Sequence, residues 1–247
     1  MKTVAVLLSL AVFIASASAI LNGDVSLNKP YFARVTFRHT ATGPLQHRGG
    51  SIISDRFVLT TFPVDNAMEY SVHVGSNIRE SQKSYSGSIT RVSFDLDGLA
   101  IIQLTIPLIF NRNVQPIRMA PSTVLMGFVN DQGLVPGMGG SATAQSLYLQ
   151  SAFMRIIPNG PCQAFYPIRP MNSYFCGYDS LGRSDFCPQD VGTAFTLMTR
   201  GEEYLYGVAL ASSCNPAVND HPSLFINVAF FRQRILEIID GIQTNSL

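Results

Sequence analysis

The sequence predicts an all-β protein, two β-barrels in series followed by one C-terminal α-helix. Runs of β-branched and aromatic residues dominate, with turn signals between them: "YFARVTF", "SIISDRFVLTT", "EYSVHVGS", "LAIIQLTI", "YLYGVAL" and "SLFINVAFF". Only "FFRQRILEII" puts apolar residues at helical spacing, and it stops at Gly241. A stretch without periodicity, "QPIRMAPSTVLMG", carries Pro116 and Pro121 and divides the chain, giving a first barrel over 20–117 and a second barrel with the helix over 118–247.

Residues 1–19, "MKTVAVLLSLAVFIASASA", read as a secretory signal peptide: Lys2, an apolar run from Val4 to Ala15, and the small-residue ending Ala17-Ser18-Ala19. That run is shorter than the roughly twenty apolar residues a membrane helix needs. Every later hydrophobic segment is interrupted by Gly, Pro, Asp or Arg, so a secreted chain beginning at Ile20 and without a membrane span is expected. "SIIS-DR-FVLTT" reads as two short strands about a polar turn, and Tyr70, Val72 and Val74 alternate with polar neighbours as in a half-buried strand. The acidic doublet Glu202-Glu203 follows Gly201 and precedes a strand, which reads as a solvated hairpin turn.

A net charge of +1, with charged residues only 13% of the chain, gives no electrostatic case for nucleic acid or an anionic membrane. The four cysteines, Cys162, Cys176, Cys187 and Cys214, all follow the dividing segment. Their spacings fit no zinc pattern, so two disulfides in an oxidising compartment are expected, with no metal and no cofactor.

Several segments, in order, resemble the chymotrypsin-like serine proteases, the family of trypsin: "ILNG", "RGGSIISDRFVLTT", "GLAIIQL", "VQPIRM", "VPGMGG", "NSYFCGY", "SDFCPQDVG" and "SSCNPAVNDHPSLFINV". The resemblance runs from Ile20 to the terminal helix and implies two six-stranded antiparallel barrels with a cleft between them. In that family a serine attacks a carbonyl, a histidine takes its proton and a buried aspartate orients the histidine. All three positions have changed. Pro63 stands where the histidine would follow "VLT", and proline has neither a titratable group nor a backbone donor. Gly98 stands at the aspartate position; Asp97 is one residue early, which on extended chain turns it to the other face. Val191 replaces the nucleophile, and Gln189 falls where a glycine N–H would help form the oxyanion hole, a substitution expected to tilt or strain that peptide. The histidines His39, His47, His73 and His221 are scattered in sequence; only His47 falls on a strand that borders the family's cleft.

Other family features persist. "ILNG" and Asp190 match the device in which a freed Ile amine pairs with the aspartate before the serine. Signal-peptide removal between Ala19 and Ile20 would expose that amine directly, and the rival reading is a relic that makes no such pair. The resemblance pairs Cys162 with Cys176 and Cys187 with Cys214, while the family's third bridge matches Arg48 and Val64, so both halves are missing. Asp185 matches the pocket-base aspartate that selects Lys or Arg, but Phe186 is far larger than the usual next residue. The pair reads either as a live receptor or as a vestigial pocket whose acid has a local partner. Met138 stands where family members carry a tryptophan.

The resemblance thus implies a secreted, monomeric, non-catalytic homologue that binds an extracellular protein, such as an active protease, an inhibitor or another cascade component, or a microbial surface. The alternatives are a hydrolase with an unconventional site and an abundant structural protein of a secretion. N-terminal sequencing of secreted protein is expected to read Ile-Leu-Asn-Gly; a start on either side of Ile20 would sink the processing scheme.

Overall fold

The computed structural model describes residues 20, 23–61, 69–92, 98–121, 129–141, 144–179, 184–214 and 221–244. The signal segment, Pro63, Val64 and Asp97 lie outside them.

The strands are, in chain order, β1 (Asp24–Val25), β2 (Phe32–Arg38), β3 (Gln46–Ile52), β4 (Phe57–Thr61), β5 (Glu69–Val74), β6 (Lys83–Val92), β7 (Leu99–Leu104), β8 (Arg118–Met119), β9 (Gln132–Gly137), β10 (Gly140–Ser141), β11 (Ala144–Gln145), β12 (Gln150–Ile156), β13 (Tyr174–Tyr178), β14 (Ala194–Thr199), β15 (Glu202–Ala211) and β16 (Ser223–Asn227), with helices α1 (Asn159–Phe165) and α2 (Val228–Thr244). The first barrel closes as β2-β3-β4-β7-β6-β5. The second runs β12-β13-β16-β15-β14-β9 and closes because β9 also pairs with β12. These are the two six-stranded antiparallel barrels that the sequence predicted.

Alternation sorts the side chains. On β2, Ala33, Val35 and Phe37 enter a core with Ile52, Val58, Val72, Val74, Ala100 and Ile102, while Arg34, Thr36 and Arg38 fall at the intervening positions. Each large apolar side chain buried there is worth about 1.5–3 kcal/mol. In the second barrel Phe175, Phe195 and Phe225 form an aromatic centre, with Phe175 stacked on Phe225 at 5.2 Å and Phe195 edge-on to Phe225 at 4.9 Å. The chain passes between barrels over a few residues: the Ile117 N–H donates to Ile52 and the Ala120 N–H to Leu205. β1 crosses back, pairing Asp24 and Val25 with Ser151 and Gln150 of the second sheet.

Three local readings change. "VAFF" begins α2 rather than ending a strand, because Asn227 caps it by accepting the Phe230 N–H at 3.3 Å, and Val228, Ala229, Ile235 and Ile239 supply the buried stripe. The helix also runs through Gly241 to Thr244. Glycine costs about 1 kcal/mol in a helix interior, which Ile242 offsets by packing on the core. The short α1 was not expected, since "NGPCQAF" has no helical stripe; Cys162 is its one buried residue and is tied to Cys176.

Glu203 is not a solvated turn residue. It accepts from the Tyr31 hydroxyl at 2.7 Å, the Thr196 hydroxyl at 2.6 Å and Lys29 Nζ at 3.2 Å, so Lys29 and Tyr31 on the approach to the first barrel are tied to the second. Burial, and then the Glu203 charge, hold the Tyr31 phenol well above its ordinary pKa, which keeps it a donor. Its neighbour Glu202 is exposed and pairs with Arg118 at 2.8 Å. Glu203→Ala strands three donors and is expected to lower urea-unfolding stability by about 2–4 kcal/mol, whereas Glu202→Ala should leave the unfolding curve unchanged.

Candidate functional site

The loop after the Cys187 bridge carries the candidate site. Cys187 is bonded to Cys214 and Cys162 to Cys176, the pairing implied by the resemblance, and no described cysteine is free. A 3-10 turn, Pro188–Asp190, follows Cys187. Asp190 turns inward and closes that turn on itself. Its Oδ1 accepts the Gly139 N–H at 2.6 Å and its Oδ2 the Cys187 N–H at 3.2 Å. A Cβ on Gly137 would lie 2.2 Å from Asp190 Oδ1, and one on Gly139 would lie 2.7 Å from the same carboxyl, so "VPGMGG" has glycine where the acid needs the room. Burial pushes Asp190 up to about 7, against the pull of its backbone donors.

Ile20 is fully buried and belongs to the same apolar cluster as Val135 and Val191. Its Cδ1 would lie 2.8 Å from a Cβ on Gly137, so Ile20 and Asp190 approach one glycine from two sides. In the unprocessed chain the Ile20 N–H is an amide and donates to Gln150 Oε1 at 3.1 Å. Sequence reading did not anticipate Gln150.

Val191 follows at φ −51° and ψ 136°, with 8% of its surface exposed. Its carbonyl accepts the Gly49 N–H of β3 at 2.9 Å, and Gly192 at φ +92° donates its N–H to Ala209. A side chain on Gly192 would meet Thr60 Oγ1 at 2.3 Å and the Gly49 carbonyl at 2.5 Å, so two barrels touch here through backbone. The neighbouring hydroxyls are already engaged: Thr60 donates to the Gly49 carbonyl at 2.6 Å and Thr193 to the Pro136 carbonyl at 2.5 Å. Gly98 is buried immediately before β7 and offers no side chain. Gln189 sits within the 3-10 turn and is not among the positive-φ residues, so its backbone shows no left-handed strain.

Arg48 donates through Nη1 to the Pro188 carbonyl, while its buried Nε has no partner. Arg34, His47, Arg48, Gln189 and Asp190 all line one crevice between the barrels. Met138 is buried with Phe32 and Leu149.

Asp185 sits beneath this loop among donors of the chain's own. Oδ1 accepts from the Phe186 N–H at 2.9 Å and from the Ser223 hydroxyl; Oδ2 accepts from the Ser212 hydroxyl at 2.8 Å and the Cys214 N–H at 3.3 Å. Burial raises its pKa while these bonds lower it. Phe186 is fully buried, 5.4 Å edge-on from Phe225. Ser212 and Ser223 were not singled out from sequence, since serine near a strand end carries no signal of its own.

The elevated Asp190 pKa has a thermodynamic signature. A chain that keeps residues before Ile20 binds an extra proton at Asp190 when folded, so the Asp190 contribution to stability is full below the ordinary carboxylate range and is lost as pH rises through about 7, while His47 and His73, which burial draws down to about 4, contribute in the opposite sense. Thermal unfolding between pH 4 and 8 isolates the Asp190 slope as the stability of wild type minus that of Asp190→Asn, a difference expected to fall as pH rises towards 7. If a free Ile20 amine pairs with Asp190, cleaved protein will lack the slope; an identical slope in both forms would rule the pair out.

The Trypsin family model matches residues 24–235, a span that takes in both barrels and the first two turns of α2. With its two six-stranded barrels and that match over most of its length, the chain belongs to the trypsin family.

Proposed function

We propose that this protein is a non-catalytic member of the family, secreted, that acts by binding. The observation that carries this reading is Val191: it occupies the nucleophile's place in a loop held by the Cys187–Cys214 bridge, Asp190 and the Gly49 contact, yet it has no hydroxyl. Attack on a carbonyl needs an activated nucleophile with a base in reach. Gly98 offers no carboxylate to orient a base, and Pro63 in the sequence offers no imidazole.

The state of Asp185 supports the same reading. A Lys or Arg side chain would have to displace the Ser212 and Ser223 hydroxyls to reach the carboxylate, leaving buried donors to re-pair. The runner-up, a hydrolase with another nucleophile, has one contact in its favour: Ser71 Oγ lies 3.1 Å from His73 Nε2. No carboxylate orients that imidazole among its described hydrogen bonds, and it lies on the outer wall of the first barrel.

The two disulfides suit an extracellular setting. The partner in this proposal is an extracellular protein of a protease cascade or a microbial surface, bound by the protease-like domain itself.

Purified secreted protein is expected to give no labelling with a fluorophosphonate probe and no turnover of ester or peptide substrates. Val191→Ser alone should not restore either, because the base and its orienting acid would still be missing. Labelling of the native protein that disappears on mutating one residue would establish the hydrolase instead. Co-purification from native fluid should recover a defined partner, and high abundance without one would favour a structural role.

A further inference from the structure

Three basic side chains far apart in sequence meet on the outer wall of the first barrel. β2 lies between β3 and β5. Arg34 stands opposite Gly49 on one side and His73 on the other; Thr36 stands opposite His47 and Ser71. Because strand side chains alternate, Arg34 and Thr36 share the face turned away from the Ala33, Val35 and Phe37 core. Opposite Arg34, Gly49 packs against Thr193 of the second barrel, where a Cβ would lie 2.4 Å from the Thr193 Cβ, so the patch borders the contact between the barrels.

The contacts within this group leave particular atoms unused. Arg34 Nε donates to Gln82 Oε1 at 3.0 Å, and Nη1 lies 3.5 Å from His47 Nδ1, which assigns the His47 proton to Nε2. His73 Nε2 lies 3.0 Å from Thr36 Oγ1 and 3.1 Å from Ser71 Oγ, and these hydroxyls lie 2.8 Å apart. Among the described residues no carboxylate pairs with Arg34, and Nη2 of Arg34, Nε2 of His47 and Nδ1 of His73 have no hydrogen bond.

A half-buried guanidinium with only neutral partners is an unusual thing to keep, since desolvated cations are generally paired. Its effect on the neighbours is visible. Burial and then Arg79 draw Arg34 down to about 10; burial and then Arg34 draw both His47 and His73 down to about 4. The charged groups around the patch are Arg34 from β2, His47 and Arg48 from β3, His73 from β5, Asp190 across the crevice that Arg34 and His47 share with it and, from the turn Arg79–Ser81, Arg79 and Glu80, which lie 3.8 Å apart. Lys83 at the start of β6 stands 5.0 Å over the Tyr85 ring.

We propose that Arg34, His47 and His73 form an oxyanion site that takes the sulfate or phosphate group of an extracellular ligand. A tetrahedral oxyanion offers several oxygens to the donors that the internal hydrogen bonds leave over, and its charge supplies what Arg34 lacks. Binding would turn both imidazoles into cations, so affinity rises as pH falls. Arg34 and His47 also line the crevice that Asp190 borders, but the site uses neither Val191 nor Gly98 and does not depend on whether the cleft is silent.

The test is nitrogen-15 imidazole NMR on the intact secreted protein, titrated at constant ionic strength with sodium phosphate, sodium sulfate or a sulfated disaccharide, with chloride as control. Phosphate or sulfate is expected to raise the pKa of His47 and His73 by a unit or more, equivalent to about tenfold tighter binding per site to the protonated form. His39 and His221 should not respond, and their unchanged signals also report that each variant is folded. Arg34→Gln should abolish the response, and His73→Gln should weaken binding and its pH dependence. Binding of the disaccharide assigns the site to a sulfated glycan, and binding of the inorganic ions alone assigns it to a free oxyanion. If His47 and His73 respond no more than His39 and His221 to any of the three, the proposal is wrong.

Discussion

The interior of the second barrel is organised by one desolvated carboxylate. Asp190 has no water to solvate it, so peptide N–H groups must, and those of Gly139 and Cys187 are brought to it from two different loops. That requirement dictates glycine at 137 and 139, where a side chain would overlap the carboxyl. It also places the Cys187–Cys214 bridge and the buried Ile20 side chain beside one another. Because backbone donors already satisfy much of the acid, the loop can hold this arrangement before any amine is released at Ile20. The cost of the unpaired charge appears as an elevated pKa rather than as a disrupted loop.

Around that constraint the contacts that hold the family frame are made by atoms other than those of the proposed lost chemistry. Gly49, Gly192, Thr60 and Thr193 keep the two barrels in backbone contact at the cleft, which demands small residues and engaged hydroxyls irrespective of what stands at 191. The side chains that would face a substrate carry no such demand. Val191 adds its bulk to the apolar cluster of Ile20 and Val135, and Ser212 and Ser223 supply Asp185 with donors from within the chain. A fold can keep its contacts while its reactive positions drift, since the two draw on different atoms of the same loop.

Period-two alternation made the strands legible, because a strand with one face buried must alternate, and β2 and β5 do so plainly. Motif order gave the barrels and the bridges. Elements held by partners remote in sequence were hidden. The helix α1 is tied down through Cys176, and Glu203 is drawn partly out of solvent because Lys29, Tyr31 and Thr196 converge on it. The pairing of His47 and His73 across Arg34 is likewise a product of barrel register, which no local spacing encodes. Gln150 at the Ile20 amide belongs to the same class.

Both covalent crosslinks lie in the second half of the molecule, and every cysteine in the sequence is used by them. The first barrel therefore carries no covalent crosslink, and no disulfide restrains its chain entropy in the unfolded state. No covalent link limits the opening of β2 to β7, and reductants act only on the half that carries the Asp190 loop. In a protease-rich fluid, the lifetime of this protein would then be set by how often its uncrosslinked barrel opens.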